Sequence, residues 1–185
     1  MRSSRARAAD SGPDTGLDEE ADPESVARLI GLRLLERAPR TRAELAKAMA
    51  RRGVPIDAAE TVLDRFTEVG LVDDQAFAEA WVRSRHSGRG LAPRALAAEL
   101  RARGVDQQVA ADALAEIGPD DEQDAAVALV RRRLRTMSTL PREVQRRRLV
   151  GMLGRKGFGR SLALQVVSAE IGALETADSY GTYAG

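Results

Sequence analysis

The chain has 185 residues, 43% hydrophobic and 31% charged, with a net charge of +1, six aromatic side chains and no cysteine. Disulfides, thiolate nucleophiles and Cys-based metal sites are therefore excluded. His86 is the only histidine, so one chain cannot assemble a His-based catalytic array or a His-rich metal cluster. No apolar run approaches the ~20 residues of a membrane span, and Met1–Asp22 lacks the apolar stretch of a signal peptide. A soluble, cytoplasmic, monomeric protein without cofactor or metal is expected. Alanine and leucine dominate the apolar residues while β-branched residues are sparse, which favours helix over sheet.

Residues 1–21 are rich in Ser, Gly and charge, with Leu17 the only large apolar residue after Met1. They cannot bury enough surface to offset the entropy of ordering, and a disordered acidic tail is expected. Asp22-Pro23-Glu24 then reads as a helix start, with Asp22 as N-cap and proline in the first turn. Val26, Ile30 and Leu34 follow at helical spacing, and Ala38-Pro39 ends the run. Thr41-Arg42-Ala43-Glu44 is a capping box opening a helix with Leu45 and Met49, closed at Gly53. Asp57-Ala58-Ala59-Glu60 is a second, Asp-led box before Val62, Leu63 and Phe66.

The same unit recurs. Asp73 or Asp74 caps a helix with Phe77 and Trp81. Pro93 begins one with Leu96 and Leu100, ending at Gly104, and Asp106 caps one with Val109 and Leu114. The third copy starts at Asp120 with Val130 and Leu134. Pro141 opens its second helix, with Leu149 and Leu153, ending at Gly157. A last helix carries Leu162, Val166, Val167 and Ile171. A gapless alignment gives the columns Val26/Phe77/Val130, Ile30/Trp81/Leu134, Leu45/Leu96/Leu149 and Met49/Leu100/Leu153. The strongest column is Gly53/Gly104/Gly157, each glycine eight residues after the leucine of its unit. The expected fold is all-α: three tandem three-helix repeats (22–72, 73–119, 120–175) forming an elongated helical array, with a flexible tail at 176–185.

Chemistry is harder to find. Gly151 to Ser161 resembles a phosphate loop, but Lys156 is followed by Gly157 where Ser or Thr is needed. Asp73-Asp74 and Asp120-Asp121-Glu122-Asp124 stand where helices begin, which fits capping better than metal binding. Trp81 and Phe77 fall in the aligned core columns, which argues for core and against base stacking. No enzymatic activity is expected. The basic residues stand out instead. Residues 121–174 hold eleven basic and five acidic side chains, an excess of +6. The candidate contacts for an anionic partner are Arg131, Arg132, Arg135, Arg146, Arg147, Arg155, Lys156 and Arg160, with Arg83, Arg85 and Arg89 in the middle unit.

Gly70-Leu71-Val72-Asp73-Asp74 leading into Phe77-Ala78, Trp81, Arg85 and Gly90, then Leu96, Glu99-Leu100 and Gly104-Val105, resembles the signature of the RecX family, regulators of the RecA recombinase. Arg155-Lys156-Gly157-Phe158 resembles the third-unit turn of that family. The resemblance covers about residues 25–174. It implies three tandem three-helix repeats that bind the groove of the RecA–DNA filament. Filament assembly, ATP hydrolysis, strand exchange and co-protease activity would be limited, with ATP belonging to RecA. Single- or double-stranded DNA is a second partner to consider. The alternative from a different class is a helical protein that binds DNA directly, independent of RecA.

Overall fold

In the computed structural model the described residues are 22–181, with side chains followed to Leu174. The expected tail at 1–21 lies outside them. The described residues form nine helices and no strand: α1 (Pro23–Leu35), α2 (Arg42–Ala50), α3 (Ile56–Glu68), α4 (Asp74–Arg89), α5 (Pro93–Ala102), α6 (Gln107–Leu114), α7 (Pro119–Leu134), α8 (Arg142–Arg155) and α9 (Arg160–Gly181). They group as α1–α3, α4–α6 and α7–α9. Within each unit the first and third helices pack together and the second packs against both. Helix α9 runs past the boundary expected at residue 175.

Local chemistry explains most helix starts. The Asp22 carboxylate accepts from the amides of Glu24 and Ser25 (3.4 and 3.2 Å), and Pro23 opens the first turn. Asp73, not Asp74, caps α4, accepting from Ala76 N at 2.8 Å. Asp106 does the same for α6 through Gln108 N at 2.7 Å. Asp121 reaches back to Gly118 N at 3.1 Å, as expected of a carboxylate at a helix start. Among the described residues no three His, Asp or Glu side chains are grouped so as to hold a metal ion.

Two starts differ from expectation. Helix α3 begins at Ile56 behind Pro55 without a side-chain cap, and Asp57 sits inside its first turn. There it complements the helix dipole but holds no amide. Pro141 occupies the cap position of α8 and not its first helical position.

Each unit has its own core. Leu45, Leu96 and Leu149 are fully buried in equivalent places, as are Met49, Leu100 and Leu153. Ala59, Ala110 and Ala163 form a further shared buried column. Burying each large side chain contributes roughly 1.5–3 kcal/mol. The middle core is the poorest, with Ala78, Ala110 and Ala113 beside Val82, Leu96, Leu100 and Val105. Repeats this small depend on their neighbours.

The gapless alignment needs a correction. The buried columns of the first helices are Ala27/Ala78/Val130 and Gly31/Val82/Leu134, so the step from first-helix core to second-helix core is one residue longer in the third unit (Leu134 to Leu149) than in the others (Gly31 to Leu45, Val82 to Leu96). A one-residue slip turns a helical side chain by about 100°. Trp81 consequently lies half-buried at the edge, stacked on Phe77 with ring centroids 5.7 Å apart. Its indole N–H donates to Glu99 Oε2 at 2.8 Å. The guanidinium groups of Arg103 and Arg85 stand 3.8 and 4.1 Å from the ring centroid. A buried indole needs a partner for its N–H, and the unit's edge supplies one.

The repeated glycine has a second role. Gly53, Gly104 and Gly157 all end a second helix at positive φ (75°, 76° and 90°), where any side chain is strained. Gly104 and Gly157 are also pressed against the preceding unit. A Cβ on Gly104 would stand 2.4 Å from Ala43 Cβ, and one on Gly157 would stand 2.5 Å from Ala95 N. A Cβ on Gly53, in the first unit, would meet nothing within 4 Å.

The same joint is therefore made twice. Thr41 Oγ1 donates to Arg103 O at 2.7 Å. At the equivalent place in the next unit, Ala92 N donates to Lys156 O at 2.9 Å. Glu44, expected to close a capping box, takes Arg103 Nη1 at 2.6 Å across the first joint, and Asp74 accepts from Arg42 N at 2.9 Å.

Alanine at Gly53 should cost about 1–2 kcal/mol from positive φ alone. Alanine at Gly157 should cost a further 1–3 kcal/mol, because the new methyl overpacks the joint. Urea denaturation of both variants checks this; equal losses would mean that the joint is not tightly packed.

Candidate functional site: a basic groove on the third unit

Helices α7 and α8 end close together, and their last turns carry the densest charge in the chain. The spacing does the work. Arg147, Gly151 and Arg155 fall one turn apart, as do Arg148, Met152 and Lys156. Both stripes of α8 face the same open groove, and Arg132, Arg133, Thr136 and Met137 form the opposite wall. The groove holds about 610 Å³ and, among the described residues, is lined by six cationic side chains and no acidic one. Among the described residues none of the six has a carboxylate within ion-pairing distance.

Lys156 is the clearest sign of this environment. Burial and the positive charges of Arg132 and Arg89 hold its ammonium below the ordinary lysine pKa. Its Nζ donates to the backbone oxygen of Arg89, which ties the groove to the end of α4. Arg132 also lines the neighbouring hollow between the second and third units, a space of about 460 Å³ shared with Arg83, His86 and Arg89. Asp121, Asp124 and Glu116 line that hollow too, so its charge is mixed. His86 turns its Nδ1 toward Leu91 O at 2.9 Å, a contact that secures the turn after α4.

The structure sorts the candidate residues. Arg132, Arg147, Arg155 and Lys156 come together in the groove. Arg89 stands beside it, exposed, at the end of α4. Arg131 is turned away and held by Glu170, with Nε–Oε2 at 2.8 Å and Nη2–Oε1 at 2.9 Å. That pairing raises the pKa of Arg131 further. Arg135 lines a separate hollow with Arg131, Arg142 and Glu170. Arg146 and Arg160 are exposed outside the groove. Arg83 lies between Glu79 and Glu116, each at 3.8 Å. Arg85 is shared between Trp81 and Glu99.

Arg133 and Arg148 belong to the groove although the sequence reading did not select them. The signal for Arg148 was present, since it stands eight residues before Lys156 on one helix face. Arg133 depends on how α7 meets α8, which no local pattern encodes.

An acid-free groove of this kind is costly to hold together without a counter-charge, and it concentrates anions from solution. Leu129, Met137 and Met152 supply its apolar lining, and the segment from Gly151 to Ser161 is a helix end, a turn at Gly157 and a new helix start. The arrangement can grip a row of anionic groups. Among the described residues no helix is long and apolar enough to cross a membrane.

Comparison with known proteins identifies the family. Residues 27–66, 73–114 and 120–167 match the models of the first, second and third three-helix domains of RecX. The chain is 54% identical to the regulatory protein RecX of Thermobifida fusca, over 89% of this chain and 90% of that one. It is 49% identical to the protein of the same name from Mycolicibacterium smegmatis, over 92% and 95% of the two chains. The crystal structure of RecX from Lactobacillus salivarius shares the fold at a TM-score of 0.72 and 21% identity, covering 80% of this chain and 97% of that one. The three matched segments fall within the three packed units α1–α3, α4–α6 and α7–α9, and the chain belongs to the RecX family of regulatory proteins.

Proposed function

We propose that this protein binds the RecA–DNA nucleoprotein filament in the cytoplasm and limits its assembly, ATP hydrolysis, strand exchange and co-protease activity. It would thereby act in DNA repair, recombination and the SOS response. The observation that carries the reading is the acid-free groove of Arg132, Arg133, Arg147, Arg148, Arg155 and Lys156 on the third unit. It supplies fixed positive charge on an extended repeat, which suits a repeating anionic partner better than a small molecule. The family resemblance supplies RecA as the protein of that filament. No catalytic role for this chain follows from these residues, and ATP hydrolysis is assigned to RecA.

A second reading, direct binding of DNA without RecA, is favoured by the same arginines, whose planar forks match phosphate oxygens. The two readings separate in one experiment. Arg132→Glu, Arg147→Glu, Arg148→Glu and Arg155→Glu combined should leave helicity intact, because all four side chains point away from the cores. The variant should lose filament binding by more than about tenfold and release strand exchange from inhibition in proportion. If phosphates are the contact, each lost arginine should flatten the log–log salt dependence by about 0.7–0.9. A folded variant that inhibits at wild-type concentrations would refute the reading. Wild-type binding to bare DNA at the affinity seen for the filament would favour the second.

A further inference from the structure

The second helices of the repeat present one face in three versions. In the third unit it carries Arg147, Arg148, Gly151, Met152, Arg155 and Lys156. In the middle unit the same positions are Arg94, Ala95, Ala98, Glu99, Ala102 and Arg103, and the face receives the turn at Gly157. In the first unit Lys47 and Arg51 occupy the places of Gly151 and Arg155. Both are exposed and, among the described residues, neither has a carboxylate partner.

At that first-unit face the structure has a second groove of about 580 Å³, bounded by α2 and the end of α5. Arg40, Lys47, Arg51, Arg101 and Arg103 line it, with Glu44 as the one acidic side chain among the described residues. Glu44 is already engaged by Arg103 at 2.6 Å and lies 3.8 Å from Arg40. Among the described residues Lys47, Arg51 and Arg101 are left without a counter-charge.

We propose that this first-unit groove is a second site for the phosphodiester backbone of nucleic acid, on the face of the repeat that carries the third-unit groove. The proposal rests on reading the third-unit groove as an anion contact and adds a second point of attachment where α2 meets the end of α5. Apolar side chains in the groove are few and mostly small: Leu34, Ala43, Ala48 and Ala102. A protein partner is usually anchored by buried aromatic or large apolar groups, which this groove does not offer. No aromatic ring lines it, so it would hold the backbone and not stack on bases. Two separated grooves make binding bivalent, and a strand long enough to span both gains affinity without any new contact.

The test uses the full chain and fluorescein-labelled single-stranded DNA, one oligonucleotide too short to span the two grooves and one several times longer. Binding is followed by fluorescence anisotropy across a salt series. Wild-type protein should bind the long strand at least about tenfold more tightly than the short one. Lys47→Glu, Arg51→Glu and Arg101→Glu combined should remove most of that advantage and lower the salt slope on the long strand by about two. The same three residues changed to Gln should give an intermediate loss, which guards against a misfolded reversal. Arg147→Glu, Arg148→Glu and Arg155→Glu should weaken both lengths. An unchanged long-strand affinity and salt slope in a folded first-groove variant would overturn the proposal. So would unchanged DNA binding accompanied, in a parallel titration with DNA-free RecA, by a loss of RecA binding, which would make the groove a protein contact. If only the third-groove reversal were silent, the first groove would stand and the reading of the third would fall.

Discussion

The array depends on a glycine turn with no room for a side chain. Gly104 backs onto Ala43 and Gly157 onto Ala95, closer than any Cβ would allow. Each joint then adds a hydrogen bond from the start of one second helix to the carbonyl before the next unit's glycine. The middle unit, whose core is rich in alanine, is held from both sides. The joints involve few residues compared with the packing inside each unit. Cohesion along the chain thus comes from a small, repeated and sterically exacting contact.

That arrangement also shapes the basic groove. In the first and middle units the second-helix face is partly taken by the next unit's turn. In the third unit the equivalent face is open, and it carries four cations along α8 facing two more on α7. The repeat thus separates two roles for one structural element. Small residues make the joint where another unit packs, and arginines occupy the face where none does. Like charges brought together raise the energy of the unbound state, and a matching row of anions relieves it.

Much of this architecture is legible in the sequence. Asp22, Asp73 and Asp106 mark helix starts by their own chemistry, and the threefold glycine marks the unit. The glycine's steric role is not legible, because Ala43 and Ala95 are distant in sequence. The core register of the first helices is also hidden. Phe77 and Trp81 look like core residues by type, yet Ala78 and Val82 are the buried pair. A bulky indole drew the alignment toward itself although small side chains fit the space. The candidate site divides the same way. Helical spacing places Arg147, Arg155 and Lys156 on one face. It cannot show that Arg131 is captured by Glu170, thirty-nine residues away.

The chain has only two lysines, Lys47 and Lys156, one in each basic groove. Amine-selective labelling read by mass spectrometry therefore reports on both sites without any substitution. Lys156, with its depressed pKa, should label readily in the free protein. On saturating RecA–DNA filament its labelling rate should fall several-fold, and the fall should be reversed by high salt. Unchanged labelling of Lys156 in a complex that inhibits strand exchange would contradict the assignment of the third-unit groove as the surface that holds the filament.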